Sequence, residues 1–158
     1  MTMPNRMFGR GPGESRWLVL GGLLSLAAAL LHIGCIVGGT EWYRFFGAPD
    51  PLIRADRRGD MTLAYTTTVI AAILAIWAAY AFAGAGRLRR LPLMRTALVI
   101  ISAIYLLRGL SLFPVLALHP ERVDSFAVWS SLIVLVYGIA YAVGTWQAWP
   151  YLSRKEPV

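Results

Sequence analysis

The sequence has one cysteine and two histidines, and this scarcity excludes several kinds of site. With Cys35 alone, the chain can form neither an intramolecular disulfide nor a cysteine-based metal cluster. Metal and haem sites need several ligands close together, whereas His32 lies in an apolar run and His119 precedes Pro120 in a polar segment. We therefore predict no metal site and no cofactor.

The sequence also lacks the short motifs that identify common catalytic sites. It contains no GxSxG, no HExxH and no glycine-rich phosphate-binding loop. No acidic residue lies in the middle of an apolar run, where a proton-coupled pump, including the small four-helix multidrug exporters, would carry one. A catalytic role is therefore not the favoured interpretation.

Charge is scarce as well, and apolar residues are abundant. Charged residues make up 15% and hydrophobic residues 58% of the 158 residues, and the mean hydropathy is +0.60. Soluble domains average about 45–50% apolar and about 25% charged residues, and a small domain cannot hide such an excess from water. The net charge of +7 falls in short clusters between apolar runs, which does not fit a nucleic-acid-binding face. The expected partner is the lipid bilayer, and no nucleic acid is expected.

Four apolar segments are long enough to cross a bilayer, which takes about 20 residues. They cover residues 17–39, 63–86, 93–115 and 125–149. They are apolar on all faces, unlike amphipathic surface helices, and they show no alternation of the kind found in β-barrel strands. We therefore predict an all-α, multi-pass membrane protein whose single domain, residues 17–149, is an antiparallel four-helix transmembrane bundle. Tails 1–16 and 150–158 flank this domain.

The distribution of lysine and arginine among the short loops predicts the orientation. Nine of these residues belong to the two tails and the connection between the second and third segments: Arg6, Arg10, Arg16, Arg87, Arg89, Arg90, Arg95, Arg154 and Lys155. The other two loops hold five, mixed with acidic residues: Arg44, Arg54, Arg57, Arg58 and Arg122. The side with nine is predicted to be cytoplasmic, so both termini are inside.

A cleaved lipoprotein signal is an alternative for the first segment, because Gly34 precedes Cys35 after a basic and then apolar N-terminus. However, His32 stands where such a signal carries an aliphatic residue, and the apolar run continues through Val37. We therefore favour an uncleaved first span.

The outer loop, residues 40–62, is much longer than the other connections. It begins with Glu-Trp-Tyr-Arg-Phe-Phe at 41–46, which is typical of a segment lying along the membrane surface, and a turn is predicted after it. Small residues at a spacing of four, such as Ala140 with Gly144, indicate close helix packing. Packing within one bundle is the favoured use of such pairs, and a homo-oligomer is the alternative.

Polar side chains gather in the outer half of the predicted bundle, where ionisable groups are costly and usually serve a function. Arg108 lies 15 residues beyond Leu93, about 22 Å along a helix, and His32 lies equally far beyond Trp17. The other candidate site residues at this depth are Glu41, Tyr65, Tyr105 and Tyr137.

Two interpretations of this layer are open. In the first, Arg108 pairs with Glu41 and hydrogen-bonds to tyrosine and threonine side chains, which locks the bundle. In the second, Arg108 holds the anionic head of a ligand in an outward-open pocket that the outer loop covers.

Three functions are compatible with these observations. The favoured one is binding or transport of a small anionic or lipid-like ligand in the outer half of the membrane. The second is a non-catalytic accessory or oligomer-forming membrane subunit. The third is a membrane-embedded enzyme that uses His32 with Tyr105 or Arg108 as acid–base groups.

Three segments resemble a group of small uncharacterised bacterial membrane proteins. They are Tyr-Arg-Phe-Phe-Gly-Ala-Pro at 43–49, Gly-Ala-Gly at 84–86 and Tyr-Leu-Leu-Arg-Gly-Leu at 105–110. The resemblance covers most of the chain. It implies a four-helix protein of the bacterial inner membrane and says nothing about mechanism.

Overall fold

The computed structural model describes residues 15–153, and the regular structure in this range is helical. The helices are α1 (Arg16–Phe45), α2 (Asp50–Asp56), α3 (Thr62–Gly84), α4 (Met94–Leu110), α5 (Leu112–Leu118), a short 3-10 helix (Pro120–Arg122) and α6 (Ser125–Leu152). Most of the two predicted tails, with Arg6, Arg10, Arg154 and Lys155, lies outside the described residues.

Four helical segments are long and apolar enough to cross a membrane. They are Arg16–Phe45, Thr62–Gly84, Met94–Leu118 and Ser125–Leu152. The prediction of an all-helical chain with four segments able to span a membrane is therefore confirmed for the described residues. The last of them is capped at its start by Asp124, whose carboxylate accepts the N–H of Ala127 at 2.7 Å.

The first long helix breaks at Gly39 and then resumes. Gly39 has φ 67° and ψ −156°, a backbone conformation that glycine adopts without strain. Beyond the break, the last turn of α1 packs with α2 and the start of α3 around a small apolar core that contains Cys35, Tyr43, Ile53 and Leu63. Much of the predicted outer loop is thus helical and packed.

Pro114, in the first turn of α5, explains why α4 and α5 are two helices. Pro114 has no N–H to donate to the carbonyl of Leu110, so the hydrogen-bond ladder of α4 cannot continue through it. The chain turns at Ser111, whose hydroxyl donates to the carbonyl of Arg108 at 2.8 Å, and α5 begins at once.

The first residues of α1 and α4 lie beside the last residues of α3 and α6. A Cβ at Gly84 would approach side chains of Leu18 and Leu98 within 3.0 Å, and Arg90 donates to the carbonyl of Tyr151 at 2.7 Å. We call this the termini end of the bundle. At the other end, which we call the loop end, Gly47 contacts the ring of Phe126.

The four long helices are not equally close to one another. Helix α1 packs along α3, and α4 packs along α6, while α1 also contacts α6. The backbones of α1 and α4 do not approach each other within the described residues, whereas each of these helices contacts both α3 and α6. A side chain that joins α1 to α4 must therefore cross the centre.

Candidate functional site

A chain of hydroxyl groups crosses the centre of the bundle. Ser25 Oγ on α1 lies 2.9 Å from Tyr105 Oη on α4 and 2.9 Å from Tyr141 Oη on α6. The hydroxyl of Tyr141 donates to the main-chain carbonyl of Trp77 on α3, at 3.0 Å. Ser25 and Tyr141 are both 0% exposed, so the chain is isolated from solvent.

The direction of every hydrogen bond in this chain follows from counting protons. Because Tyr141 uses its one hydroxyl proton on Trp77, it must accept from Ser25. Ser25 has then used its own proton, so Tyr105 must donate to Ser25. One hydrogen-bonded chain with a single direction therefore joins all four long helices.

Aromatic rings surround the chain and centre on Tyr105. Its ring lies 4.9 Å from that of Trp77 and 5.5 Å from that of Tyr137, both edge to face, and 5.3 Å from that of Tyr141. Such contacts favour a defined packing of the rings. Two of the predicted site residues, Tyr105 and Tyr137, are therefore neighbours. We call Tyr105, Tyr137 and Tyr141 the tyrosine cluster.

Arg108 lies one turn beyond Tyr105, near the end of α4. It donates from Nη1 to the hydroxyl of Ser131 on α6 at 3.0 Å, and Ser131 is buried. Arg108 itself is exposed on the bundle surface. Within residues 15–153, no carboxylate lies within ion-pair distance of its guanidinium.

Glu41 does not pair with Arg108. Its carboxylate accepts from Arg57 at 3.0 Å and from Arg44 at 3.3 Å, both in the outer-loop region. The expected ion pair between Glu41 and Arg108 is therefore wrong, because α2 folds back and brings a closer cation to Glu41. These exposed pairs contribute little to stability.

His32 and Tyr65 lie apart from the tyrosine cluster. His32 Nδ1 is 2.7 Å from the carbonyl of Ala28, so the ring bonds to its own helix. The described residues show no hydrogen bond from His32 to Tyr105 or Arg108, the contact on which the acid–base hypothesis depends. Tyr65, at the start of α3, is 69% exposed on the outside of the bundle.

Three members of the central chain, Ser25, Tyr141 and Trp77, are not among the predicted site residues. Ser25 is a polar residue in the apolar first segment, and this was the only signal for it. Tyr141 could have been selected on the same ground as Tyr137, because both are tyrosines in the apolar fourth segment, four residues apart. Trp77 takes part through its main-chain carbonyl, for which a sequence carries no signal.

The described residues contain no group of three histidine, cysteine or carboxylate side chains placed to hold a metal ion. Comparisons with protein-family models, with curated proteins and with solved structures gave no match to this chain. The site is therefore interpreted from its own chemistry.

Proposed function

We propose that this protein is an antiparallel four-helix bundle of the bacterial inner membrane that binds an anionic, lipid-like ligand at Arg108. In this proposal both termini are cytoplasmic, and Arg108 lies in the outer half of the bilayer. The ligand presents a phosphate or carboxylate to the guanidinium and keeps its apolar part in the membrane.

The proposed orientation rests on charge. Arg87, Arg89, Arg90 and Arg95 belong to the connection and helix start at the termini end, and no acidic residue occurs between Asp60 and Glu121. The loop end carries Asp50, Asp56 and Asp60 among its arginines. Loops rich in lysine and arginine stay in the cytoplasm, which supports placing the termini end inside.

A single observation carries the proposed ligand site: Arg108 is a charged group within an apolar span and lacks a carboxylate partner among residues 15–153. A cation at membrane depth is costly unless an anion or water neutralises it. Side chains of a helix lean toward its N-terminus. From Arg108 this direction runs along α4 toward the membrane centre, so reaching outward to the interface is disfavoured. The ligand anion supplies the missing charge.

Ser131 and the tyrosine cluster make this site rigid. The hydroxyl of Ser131 holds one nitrogen of the guanidinium and leaves the others able to donate to an anion. The central hydroxyl chain fixes Tyr105 one turn away on the same helix. A positioned guanidinium binds a phosphate or carboxylate through two parallel hydrogen bonds, which a lysine cannot reproduce.

The test is to measure the lipid that stays bound to purified protein by native mass spectrometry. We expect the wild type to retain anionic lipid and Arg108→Ala to lose about tenfold or more of this affinity, as loss of hydrogen bonds to a charged group predicts. Arg108→Lys should be intermediate. Arg58→Ala, which removes an exposed arginine of the outer loop, is the matched control and should behave as wild type.

Other results would favour a different function. If Arg108→Ala abolishes the folded yield while Arg108→Lys restores both yield and lipid, Arg108 is structural and the ligand proposal is wrong. If Arg108→Ala folds and retains the same lipid, and crosslinking traps a stable complex, the accessory-subunit hypothesis is favoured.

A further inference from the structure

A second candidate site lies at the termini end, on the seam between α4 and α6. A cavity of about 750 Å³ opens there, within the range of about 300–1,000 Å³ that is usual for ligand sites. Its walls include Val99, Ser102 and Leu106 of α4, and Thr145, Trp146 and Trp149 of α6. We call this cavity the seam groove.

A basic side chain contacts one wall of the seam groove. Arg95, Val99, Ser102 and Leu106 are spaced by four, three and four residues, so they form one stripe along α4. Arg95 therefore stands at the end of the groove, and its guanidinium stacks over the ring of Trp149 at 3.9 Å. Stacking of this kind fixes the position of the charge.

A second, more polar cavity lies beside Arg95. It has a volume of about 530 Å³, and its lining includes Arg90, Pro92, Arg95 and Leu152. Arg90 donates to the carbonyl of Tyr151 and lies over the ring of that residue, at 4.8 Å. Two arginines thus border a polar cavity beside an apolar groove.

The dimensions fit one leaflet of a bilayer. Arg95 and Leu106 are eleven residues apart, which is about 16 Å along a helix. Half of a hydrocarbon core about 30 Å thick is about 15 Å. A chain lying in the groove with its polar end at Arg95 would therefore end near the membrane centre.

We propose that the seam groove binds an anionic glycerophospholipid of the leaflet at the termini end. One acyl chain lies between Leu106 and Trp149, and the phosphate lies at Arg95 and Arg90. The choice of occupant rests on charge complementarity, because the sequence places a cluster of arginines at the termini end and no acidic residue between Asp60 and Glu121.

Thr145 provides an independent observation in the groove wall. Its side chain is 4% exposed, and its hydroxyl has no hydrogen-bond partner among the described residues. A buried hydroxyl without a partner is costly. Thr145 is one turn, about 6 Å, from Trp149, so an ester oxygen next to the phosphate is an acceptor of suitable depth.

This site does not depend on the proposed ligand site at Arg108. Arg108 is at the loop end, thirteen residues beyond Arg95 on α4. Variants at one site should leave the other unchanged, so failure of either proposal is distinguishable.

The test is to titrate phosphatidylglycerol and phosphatidylcholine into delipidated protein and to measure bound lipid by native mass spectrometry. Arg95→Gln should weaken phosphatidylglycerol binding about fivefold, as expected for one arginine near an anionic lipid. Ala103→Phe fills the groove from α4 without changing any charge and should reduce the number of saturable phosphatidylglycerol sites by one. Ala142→Leu fills it from α6 and serves as a second variant if Ala103→Phe does not fold.

Matched controls separate lipid binding in the groove from general electrostatic attraction of the lipid to the protein surface. Arg89→Gln removes a charge from the same connection outside both cavities, and Ala75→Phe adds the same ring on an exposed position of α3. Both controls, and Arg108→Ala, should bind phosphatidylglycerol at this site as wild type does. Phosphatidylcholine should bind more weakly than phosphatidylglycerol and should respond less to Arg95→Gln, because its choline cation offsets the phosphate charge.

Three results would overturn the proposal. If Arg89→Gln and Arg95→Gln weaken binding equally, the lipid is attracted by surface charge alone. If folded Ala103→Phe and Ala142→Leu both keep the same number of saturable phosphatidylglycerol sites as the wild type, the acyl chain is not in the groove. Equal affinity for the two lipids would exclude selection for a net negative lipid, because both lipids carry a phosphate and only phosphatidylglycerol has a net charge.

Discussion

Three hydroxyl groups in the bundle centre each donate one proton, and in a membrane interior none of them can turn to water instead. Ser25 is shared by Tyr105 and Tyr141, so its removal would leave the proton of Tyr105 without an acceptor, while Tyr141 would keep its bond to the carbonyl of Trp77. Interhelical hydrogen bonds in membrane proteins contribute about 0.6 kcal/mol on average and up to about 1.7 kcal/mol. The chain thus contributes modest energy, and it also fixes which residues face one another.

At this scale we predict that Tyr141→Phe lowers the free energy of unfolding by about 1–2 kcal/mol. The change removes the bonds to Ser25 and to the carbonyl of Trp77, and it leaves the proton of Ser25 without its acceptor. Unfolding in mixed micelles, followed by circular dichroism, measures this loss.

Tyr137→Phe is the control for this prediction. The ring of Tyr137 packs on Tyr105, but the structure gives its hydroxyl no hydrogen bond within the described residues. The control should therefore change the free energy of unfolding much less. Equal losses in the two variants would show that ring contacts, and not the hydroxyl chain, supply the stability.

Between elements, the contact of α4 with α6 depends on two glycines. A Cβ at Gly109 would lie 2.8 Å from the Cα of Leu135, and one at Gly138 would lie 2.9 Å from the backbone nitrogen of Leu106. Backbone atoms cannot swing aside as a side chain can, so these positions require glycine for close approach. The same helices leave room for the seam groove farther along, where larger side chains line the interface.

We predict that Gly109→Ala destabilises the bundle by about 1–3 kcal/mol, the usual cost of overpacking. The helices must separate at the crossing, so the hydrogen bond from Arg108 to Ser131 should lengthen or break as well. Thermal unfolding in detergent, monitored by circular dichroism, measures the loss.

A suitable comparison for this prediction is Gly22→Ala on α1. The three atoms nearest to its Cβ would all belong to the ring of Phe82, at 2.9–3.1 Å, and a ring can shift. Gly22→Ala should therefore cost less than Gly109→Ala. The reverse order would mean that the crossing of α4 and α6 is not the tightest constraint in this part of the bundle.

For the whole molecule, the proposed topology can be tested through its single cysteine. Cys35 is 6% exposed, and Cys35→Ala gives a background for single-cysteine variants. Arg58→Cys lies in the exposed segment after α2, and Arg89→Cys lies in the basic connection between α3 and α4. With both termini inside, a membrane-impermeant maleimide should label Arg58→Cys in intact cells and Arg89→Cys only after permeabilisation.

Labelling in the opposite order would place the termini outside and reverse the proposed positions of Arg108 and the seam groove. Labelling of both variants in intact cells would contradict a single membrane crossing by α3 between the two positions. Labelling of Arg89→Cys without permeabilisation would therefore be the most direct evidence against the proposed topology.

Features that lie within one segment of the sequence could be predicted, whereas contacts between segments that are distant in sequence could not. Arg108 and Tyr105 could be selected because a polar residue inside an apolar run is conspicuous in the sequence itself. Their pairing could not be assigned, since Ser131 and Ser25 lie on helices that are distant in sequence and the contacts depend on how those helices are rotated. Glu41 was chosen as a counter-ion by sequence proximity to the span end, whereas the fold brings Arg57 to it through α2.

The sequence by itself determined that this chain has four apolar helices able to span a membrane, because hydrophobicity and length are local properties and lipid removes the need for a water-soluble surface. It also determined where charge collects, and hence the proposed orientation. Only the tertiary structure decided that one hydrogen-bonded chain joins Tyr105, Ser25, Tyr141 and Trp77. It also decided that Arg108 bonds to Ser131 and that Arg95 stacks on Trp149 at the end of the seam groove. Those outcomes depend on the rotation and register of helices against one another, which short-range packing at residues such as Gly109 and Gly138 sets and which no single segment encodes.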